Sequence, residues 1–203
     1  MIIWIVLAGA AIGLALHYLS EQLPRLTHGR ARQTAVSPRL SLALSITFTA
    51  AAFAIQWLQN QPLAAPVFCF LWLISLIDLK YRLVPNLLVY PALVVVLLHH
   101  LLLRPYSLAA LLLGGGMAFA IFALTAWLRP GDLGGGDVKL ATLIGFAFGF
   151  PDVLWALILG IGLGGAAAIL LFLRTRNLKL HIPYAPFLCL GAWIALLYTP
   201  WHF

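Results

Sequence analysis

Long apolar runs alternate with short polar segments along the whole chain. Eight such runs can be marked: Ile2–Leu19, Leu40–Trp57, Leu63–Ile77, Asn86–Leu103, Leu108–Leu128, Val138–Phe150, Val153–Leu173 and Tyr184–Thr199. A helix needs about 20 apolar residues to cross the hydrocarbon core of a bilayer. The pattern therefore predicts an all-α, polytopic transmembrane helix bundle of about eight spans, in which the third and sixth spans are short.

The composition excludes an ordinary water-soluble domain. Of the 203 residues, 64% are hydrophobic and only 8% are charged. A chain of this kind buries its apolar surface in lipid, so the bilayer is its first predicted partner. The formal net charge of +7 could suggest a nucleic-acid partner, but the basic residues lie in short loops between apolar runs. That arrangement orients a membrane protein, and no nucleic acid is expected to bind.

The loop charges predict the orientation of the chain. The loops after the first, third, fifth and seventh runs hold 11 of the 12 basic residues, and Arg104 alone lies on the other side. Positively charged loops remain on the cytoplasmic side, so these four loops are predicted to be cytoplasmic and both termini to lie outside. The N-terminal run has no basic start and no obvious cleavage site, so we interpret it as a retained span.

Two of the five carboxylates lie at the edges of apolar runs. Asp78 follows the third run, and Asp137 precedes the sixth. Inserting a charged side chain into the membrane costs roughly 2.5–3.5 kcal/mol even on lenient scales. An acid next to an apolar run therefore suggests a functional role. Two crossings separate them, and two crossings return the chain to the side it left. The topology therefore predicts that both acids lie at the cytoplasmic face, where they can meet.

Paired carboxylates can hydrolyse a peptide bond without a metal, Ser or Cys. One activates a water molecule as general base, while the other, protonated, polarises the carbonyl group or donates a proton. Two like charges close together cannot both ionise easily, so the pair holds one proton between them. A low-dielectric position at the membrane edge strengthens this effect.

The residues around the two acids suit the same chemistry. The run Gly134–Gly136 permits backbone conformations that are closed to other residues and leaves room for a substrate strand. Pro85 and Asn86 are predicted to end the loop after Asp78 and to begin the next helix. Lys139 and Lys80 are interpreted as restraining the charge of the acids or contacting substrate carbonyl groups.

Other interpretations remain open on these residues alone. An acid such as Asp137 at a helix N-terminus often caps free backbone N–H groups. An acid such as Asp78 at the end of a span is commonly a solvated boundary residue. A proton-coupled transporter would use the same two carboxylates, although such a protein should show internal repeats and acids near the bilayer midplane. An inactive assembly partner that retains the shape of a peptidase is a third alternative.

No metal or cofactor is predicted from the sequence. Cys69 and Cys189 lie inside apolar runs, and neither belongs to a CxxC pair that could bind zinc. His99 and His100 lie near the outer end of the fourth run, where we expect both side chains to face lipid headgroups.

Small residues in the sixth and seventh runs predict close packing of helices. Glycine spaced at helical intervals lets two backbones approach, which is the usual basis of helix association in membranes. The glycines concerned are Gly145, Gly149, Gly160, Gly162, Gly164 and Gly165. We interpret all six as structural residues.

Three ordered stretches of this chain resemble the type IV prepilin peptidases, which are polytopic aspartic proteases of bacterial inner membranes. The first is Asp78 followed seven residues later by Pro85, and the second is the GxGDxK sequence Gly134–Lys139. The third is Ile182–Leu188, which is similar to the opening of the last span in that family. The resemblance covers about 110 residues and implies that Asp78 and Asp137 are the catalytic pair.

The resemblance also implies a substrate and a cellular location. Family members remove a short basic leader from prepilin or pseudopilin precursors, cutting after a glycine at the cytoplasmic face of the inner membrane. The outer termini would then be periplasmic, and Gly134, Gly136, Lys139 and Pro85 would support the acids or the approach of substrate. The cytoplasmic placement predicted from loop charge agrees with this chemistry.

The chain departs from the longer members of that family in one region. Those members carry an N-methyltransferase activity associated with a large cytoplasmic loop that holds paired CxxC motifs. Here the corresponding loop is short and has no cysteine, so methylation and a zinc requirement are not expected. We therefore expect one membrane-embedded peptidase domain, with a first span and shortened loop over 1–39 and a peptidase core over 63–199.

Overall fold

The computed structural model describes residues 2–28, 37–59, 64–103, 107–128, 133–176 and 183–198. The described residues form eight helices and no strand, which confirms the predicted all-α class. The helices are α1 (Ile2–His28), α2 (Pro38–Leu58), α3 (Ala64–Tyr81), α4 (Asn86–Leu103), α5 (Leu108–Leu128), α6 (Gly135–Phe148), α7 (Val153–Thr175) and α8 (Ala185–Tyr198). Four of these, α1, α2, α5 and α7, are long and apolar enough to cross a membrane, as expected of a multi-pass membrane protein.

Most helices follow the apolar runs, and the differences have a common cause. The bounds of α4 and α5 are those predicted, whereas α1 continues to His28 and α3 continues to Tyr81. A charged residue limits how much of a helix can lie in lipid, but it does not end the helix. The residues that follow these two apolar runs include Glu, Gln, Lys and Leu, which all favour a helical backbone. The expectation that α6 is short is confirmed, since it has 14 residues.

The described chain divides into two compact units, Met1–Pro85 and Asn86–Phe203. In the first unit α1 packs against α2 and α3. The backbones of α1 and α2 come close at Gly13, where an added Cβ would lie 2.7 Å from the carbonyl oxygen of Ser45. The Ser45 hydroxyl donates to the Gly13 carbonyl at 2.7 Å, so a polar bond secures this apolar contact.

In the second unit glycines bring neighbouring helices together. An added Cβ at Gly145 of α6 would lie 2.8 Å from the Cβ of Ala118 on α5, and one at Gly160 of α7 would lie 3.1 Å from the Cα of Leu188 on α8. The packing role predicted for Gly145, Gly160 and Gly164 is therefore confirmed, since Gly164 meets the ring of Tyr184.

The prediction of close helix packing is wrong for two other glycines of α7. An added Cβ at Gly162 or Gly165 would meet no atom within 4 Å. Residues four apart share one face of a helix, whereas a residue two positions away lies on the opposite side. Gly160 and Gly164 therefore form the packing face of α7, and Gly162 lies behind it.

Helix α4 contacts the short helix α6 at both of its ends. The Lys139 ammonium group in the first turn of α6 donates to the Asn86 side-chain oxygen at 2.9 Å. At the other end the His100 ring lies beside the backbone of Phe146 and Ala147, in the last turn of α6. Because the starts of the two helices meet and their ends meet, α4 and α6 run parallel.

The prediction for His100 was wrong. Its side chain is 6% exposed, so it does not face lipid headgroups. The last carbonyl groups of a helix have no partner within that helix and need donors from elsewhere. His100 places its buried ring beside the carbonyl groups of the C-terminal turn of α6.

Candidate active site

Asp78 lies in the last turn of α3 and is buried. Its residue is 5% exposed, so the alternative interpretation as a solvated boundary residue is wrong. The helix ends just beyond it, where the Arg82 backbone N–H donates to the Asp78 carbonyl oxygen at 2.8 Å. Arg82 takes a left-handed φ of 52°, which turns the chain out of the helix. The sequence thus places one carboxylate at a helix terminus, out of contact with bulk water.

Asp137 is the third residue of α6, in the first turn of the helix. Its Oδ2 atom accepts a hydrogen bond from the Gly134 backbone N–H at 3.2 Å. The Asp137 backbone N–H donates in turn to the Gly134 carbonyl at 3.0 Å. The capping interpretation is therefore confirmed in geometry, and it leaves the other oxygen, Oδ1, outside this bond.

The protonation of Asp137 is set mainly by its burial. The residue lies one position before the apolar run that starts at Val138. Burial disfavours the charged form and raises the pKa of Asp137 to about 6, although the hydrogen bond from Gly134 acts in the opposite direction. A carboxyl group with this pKa can gain or lose a proton near neutral pH, as acid–base catalysis requires.

The glycines before Asp137 provide space, and their conformational freedom is not used. Gly134 has φ −78° and ψ 148°, an extended conformation that any residue can adopt. Among the described residues the glycine with a left-handed φ is Gly149, at the other end of α6. The prediction that the glycines before Asp137 adopt conformations closed to other residues was therefore wrong. Space is available at Gly135, where an added Cβ would meet nothing within 4 Å.

Lys139 and Pro85 connect the motifs to the start of α4. The Lys139 ammonium group bonds to Asn86 and lies 5.4 Å from the centre of the Tyr90 ring. Pro85 is buried and directly precedes Asn86, where α4 begins as predicted. The second motif is thus attached to the helix that follows the first motif.

Lys80 has partners that the sequence did not suggest. Its Nζ atom donates to the Ser20 hydroxyl oxygen at 2.8 Å and lies 3.4 Å from the Glu21 carboxylate, so it is directed towards α1. The two-residue interval from Asp78 could have indicated this, since residues two apart point to opposite sides of a helix.

The third motif supplies a packed aromatic ring. The Tyr184 ring lies 5.9 Å from the Phe122 ring of α5, and its Cε2 atom would be 2.7 Å from a Cβ added at Gly164. The Tyr184 carbonyl oxygen accepts from the backbone N–H groups of Phe187 and Leu188, which starts α8. Ile182, the first residue of the motif, lies outside the described residues.

No metal centre is visible in the described part of the chain. Nowhere among residues 2–28, 37–59, 64–103, 107–128, 133–176 and 183–198 do three His, Cys, Asp or Glu side chains lie close enough to bind one ion.

Comparison with known proteins gives relatives of one kind. A prepilin leader peptidase/N-methyltransferase of Bacillus subtilis is 31% identical over 129 residues, which are 62% of this chain and 51% of that protein. Proteins of the same name match from Vibrio cholerae, at 28% identity over 82% of this chain and 67% of that protein, and from Pseudomonas aeruginosa, at 34% over 61% and 45%. The aligned part of this chain spans about half to two thirds of the length of these relatives. No solved structure matches the chain.

A family model places the chain more firmly than any single relative. The model of the type IV leader peptidase family matches residues 65–170, which include α4, α5, α6 and both candidate acids. The matched part is more than half of the chain. This protein therefore belongs to the type IV leader peptidase family.

Proposed function

We propose that this protein is a membrane aspartic endopeptidase that removes the leader peptide from type IV prepilins or pseudopilins. The observation that carries the proposal is Asp137, a carboxyl group whose burial raises its pKa to about 6, within the matched family region. The names of the relatives in Bacillus subtilis and Vibrio cholerae support a prepilin-type substrate. The peptidase core is proposed to span residues 63–199.

Asp78 and Asp137 are the proposed catalytic pair. One carboxylate takes a proton from the attacking water, and the other, protonated, donates a hydrogen bond to the scissile carbonyl oxygen. The proton then passes to the leaving amine when the C–N bond breaks. Asp78 is buried and Asp137 is partly buried, and the two carboxyl groups are expected to titrate as one unit with two apparent pKa values.

Topology supports the meeting of the two acids. Asp78 lies at the end of α3 and Asp137 at the start of α6, with α4 and α5 between them. Two crossings return the chain to the same face of the membrane. The charge of the loops favours the cytoplasmic face, so we propose that cleavage occurs on the cytoplasmic side of a bacterial inner membrane.

Supporting roles are proposed for the residues around the acids. Lys139 positions the first turn of α6 through Asn86, and Pro85 fixes the start of α4. Gly134 donates its backbone N–H to Asp137, and Gly136 occupies the first turn of the same helix. The comparisons give no support to the transporter alternative, and the absence of methyltransferase activity stays a prediction.

The decisive experiment replaces each acid by its amide. Asp78→Asn and Asp137→Asn keep the size and shape of the side chain but remove the ionisable group. We expect each variant to accumulate in the membrane and to lose leader removal when it is co-expressed with a prepilin. Gel mobility and N-terminal sequencing of the pilin report cleavage, and membrane fractionation reports the enzyme.

A matched control uses a carboxylate outside the proposed site. Asp152 precedes α7, at the end of α6 that is remote from Asp137. Asp152→Asn removes the same charge and is expected to retain full processing. Continued cleavage by either Asp78→Asn or Asp137→Asn would overturn the assignment of the catalytic pair.

A further inference from the structure

Four polar side chains form a cluster between α1 and the last turn of α3. The Lys80 ammonium group donates to the Ser20 hydroxyl oxygen at 2.8 Å and lies 3.2 Å from the His17 Nδ1 atom. The Glu21 carboxylate lies 3.4 Å from the Lys80 Nζ atom and 3.4 Å from the His17 Nε2 atom. Lys80 therefore bonds to one turn of α1 through three different side chains.

The Lys80 ammonium group of this cluster is buried, so its bonds contribute to holding α3 in place against α1. Lys80 is 6% exposed and Ser20 is fully buried, while a third of the Glu21 side chain remains accessible. A buried ammonium group without a partner is strongly unfavourable, so it is held where its acceptors are. The bonds thus restrict how α3 can rotate or slide against α1.

The short Ser20–Lys80 contact is not a second hydrolytic site. A serine nucleophile must reach its substrate, and Ser20 has no accessible surface. Its hydroxyl group also donates to the His17 carbonyl oxygen at 2.6 Å, so its proton is directed to the backbone of α1. Lys80 donates to this hydroxyl oxygen and is not arranged as its base. The geometry points to a structural bond with a defined direction.

Lys80 stands two residues after Asp78 on the same helix. Each residue of an α-helix turns by about 100°, so the two side chains leave α3 about 200° apart and about 3 Å apart along the axis. When Lys80 is bonded to α1, Asp78 is directed away from α1. A rotation of the last turn of α3 would redirect both side chains together.

We propose that Lys80 is a positioning residue for the peptidase reaction, because its bonds to Ser20 and Glu21 fix the last turn of α3 and thereby the direction of the Asp78 carboxylate. This inference rests on the proposed catalytic role of Asp78. Lys80 itself is directed towards α1 and acts only through the helix that carries Asp78.

The first test is kinetic and uses the full-length protein with a prepilin substrate. Lys80→Met keeps an unbranched side chain that is one atom shorter and removes the donor. We expect kcat to fall by about 10- to 100-fold, the size of effect that a misplacement near 1 Å produces, while KM stays unchanged. A wild-type kcat in Lys80→Met would overturn the proposal.

A second variant separates positioning from stability. Lys80→Met removes the ammonium partner of Glu21 and leaves its carboxylate beside the His17 ring, so part of the defect comes from this weakened pairing. The double variant Lys80→Met/Glu21→Gln removes both charges, and we expect it to regain the thermal stability that the single variant loses. Its kcat should remain low, because the bonds to α1 are still missing. Recovery of kcat together with stability would show that the cluster is only structural and would overturn the proposal.

Arg82→Asn is the matched control, since it removes a positive charge from the same cytoplasmic segment. Arg82 is exposed, and Asn accepts its left-handed backbone conformation. We expect wild-type kinetics, and a defect equal to that of Lys80→Met would overturn the proposal. If Lys80→Met does not accumulate, Ser20→Ala tests the proposal instead. This variant keeps the charges of Lys80 and Glu21 and should still lower kcat.

Asp78→Asn is measured beside these variants. An active Asp78→Asn would refute the catalytic pair itself. An inactive Asp78→Asn together with a fully active Lys80→Met would refute only the role of Lys80.

Discussion

The Lys139 ammonium group lies 2.9 Å from the Asn86 side-chain oxygen, so the second motif of the chain is bonded to the first turn of α4. Lys139 follows Asp137 by two residues, and Asn86 follows Pro85 directly. The Tyr90 ring, one turn further along α4, lies 5.4 Å from the same ammonium group. One lysine thus connects the start of the acid-bearing helix α6 to the helix beside it.

This bond predicts a measurable coupling between Lys139 and Asn86. Lys139→Met and Asn86→Ala should each lower the stability of the detergent-solubilised protein. A double-mutant cycle on thermal unfolding should give a coupling of about 0.5–1.5 kcal/mol, as for a single hydrogen bond. Tyr90→Phe retains the ring and should preserve the coupling. Strict additivity of the two substitutions would contradict the bond.

Close packing of α5 and α6 predicts that substitution by Ala has very different effects on stability at two glycines of α5. A Cβ added at Gly114 would lie 2.6 Å from the Gly145 carbonyl oxygen and 2.8 Å from the Gly149 Cα atom. Backbone atoms cannot move aside cheaply, so Gly114→Ala should destabilise the protein by about 1–3 kcal/mol and reduce leader cleavage.

Gly116→Ala is the control for this prediction. An added Cβ there would meet nothing within 4 Å, and Ala favours the helix by about 0.5–1 kcal/mol. We therefore expect unchanged or slightly higher thermal stability with full cleavage. Equal behaviour of the two variants in thermal unfolding would disprove the close approach at Gly114.

The sequence predicted the helices well where lipid alone determines their ends. The apolar runs at α4 and α5 have the same bounds as the two helices, and Pro85, which does not suit a helix interior, directly precedes α4. Helices α1 and α3 extend beyond their apolar runs, because a charged residue can lie outside the lipid and still be part of the helix. The two candidate acids followed from the same reasoning, since charge near hydrocarbon is rare.

Polar contacts between helices could not be predicted in the same way. His100 looked like an interfacial residue, and its burial depends on the C-terminal turn of α6 lying beside it. Lys80 looked like a neighbour of Asp78 in sequence, yet its acceptors come from α1, about 60 residues earlier. Such partners are set by tertiary packing, which hydrophobic periodicity does not encode.

The left-handed conformation of Arg82 predicts an unusual ranking of substitutions. Its φ of 52° is costly for most side chains and favourable for glycine. Arg82→Gly should therefore raise stability by up to about 1 kcal/mol, whereas the β-branched Arg82→Val should lower it. Thermal unfolding in one detergent checks the order, and a less stable Arg82→Gly would contradict the assigned conformation.

The burial of Asp137 predicts how stability changes with pH. Its pKa is raised from an ordinary 3.8 to about 6 in the folded protein. Between these values the folded state holds a proton that the unfolded state has lost, so a higher pH favours unfolding. The stabilising contribution of the protonated carboxyl group is complete below pH 3.8 and is lost as the pH rises through about 6.

The corresponding measurement compares wild type with Asp137→Asn at each pH, since the groups that do not interact with Asp137 then cancel. The stability of wild type relative to the variant should fall between pH 4 and pH 6.5, by at most about 3 kcal/mol, and should level off above that range. A difference that is independent of pH would mean that the carboxyl group is solvated in the folded protein. A difference that grows with pH would mean that its charged form is stabilised, and Asp137 could then not serve as the partner that holds the proton near neutral pH.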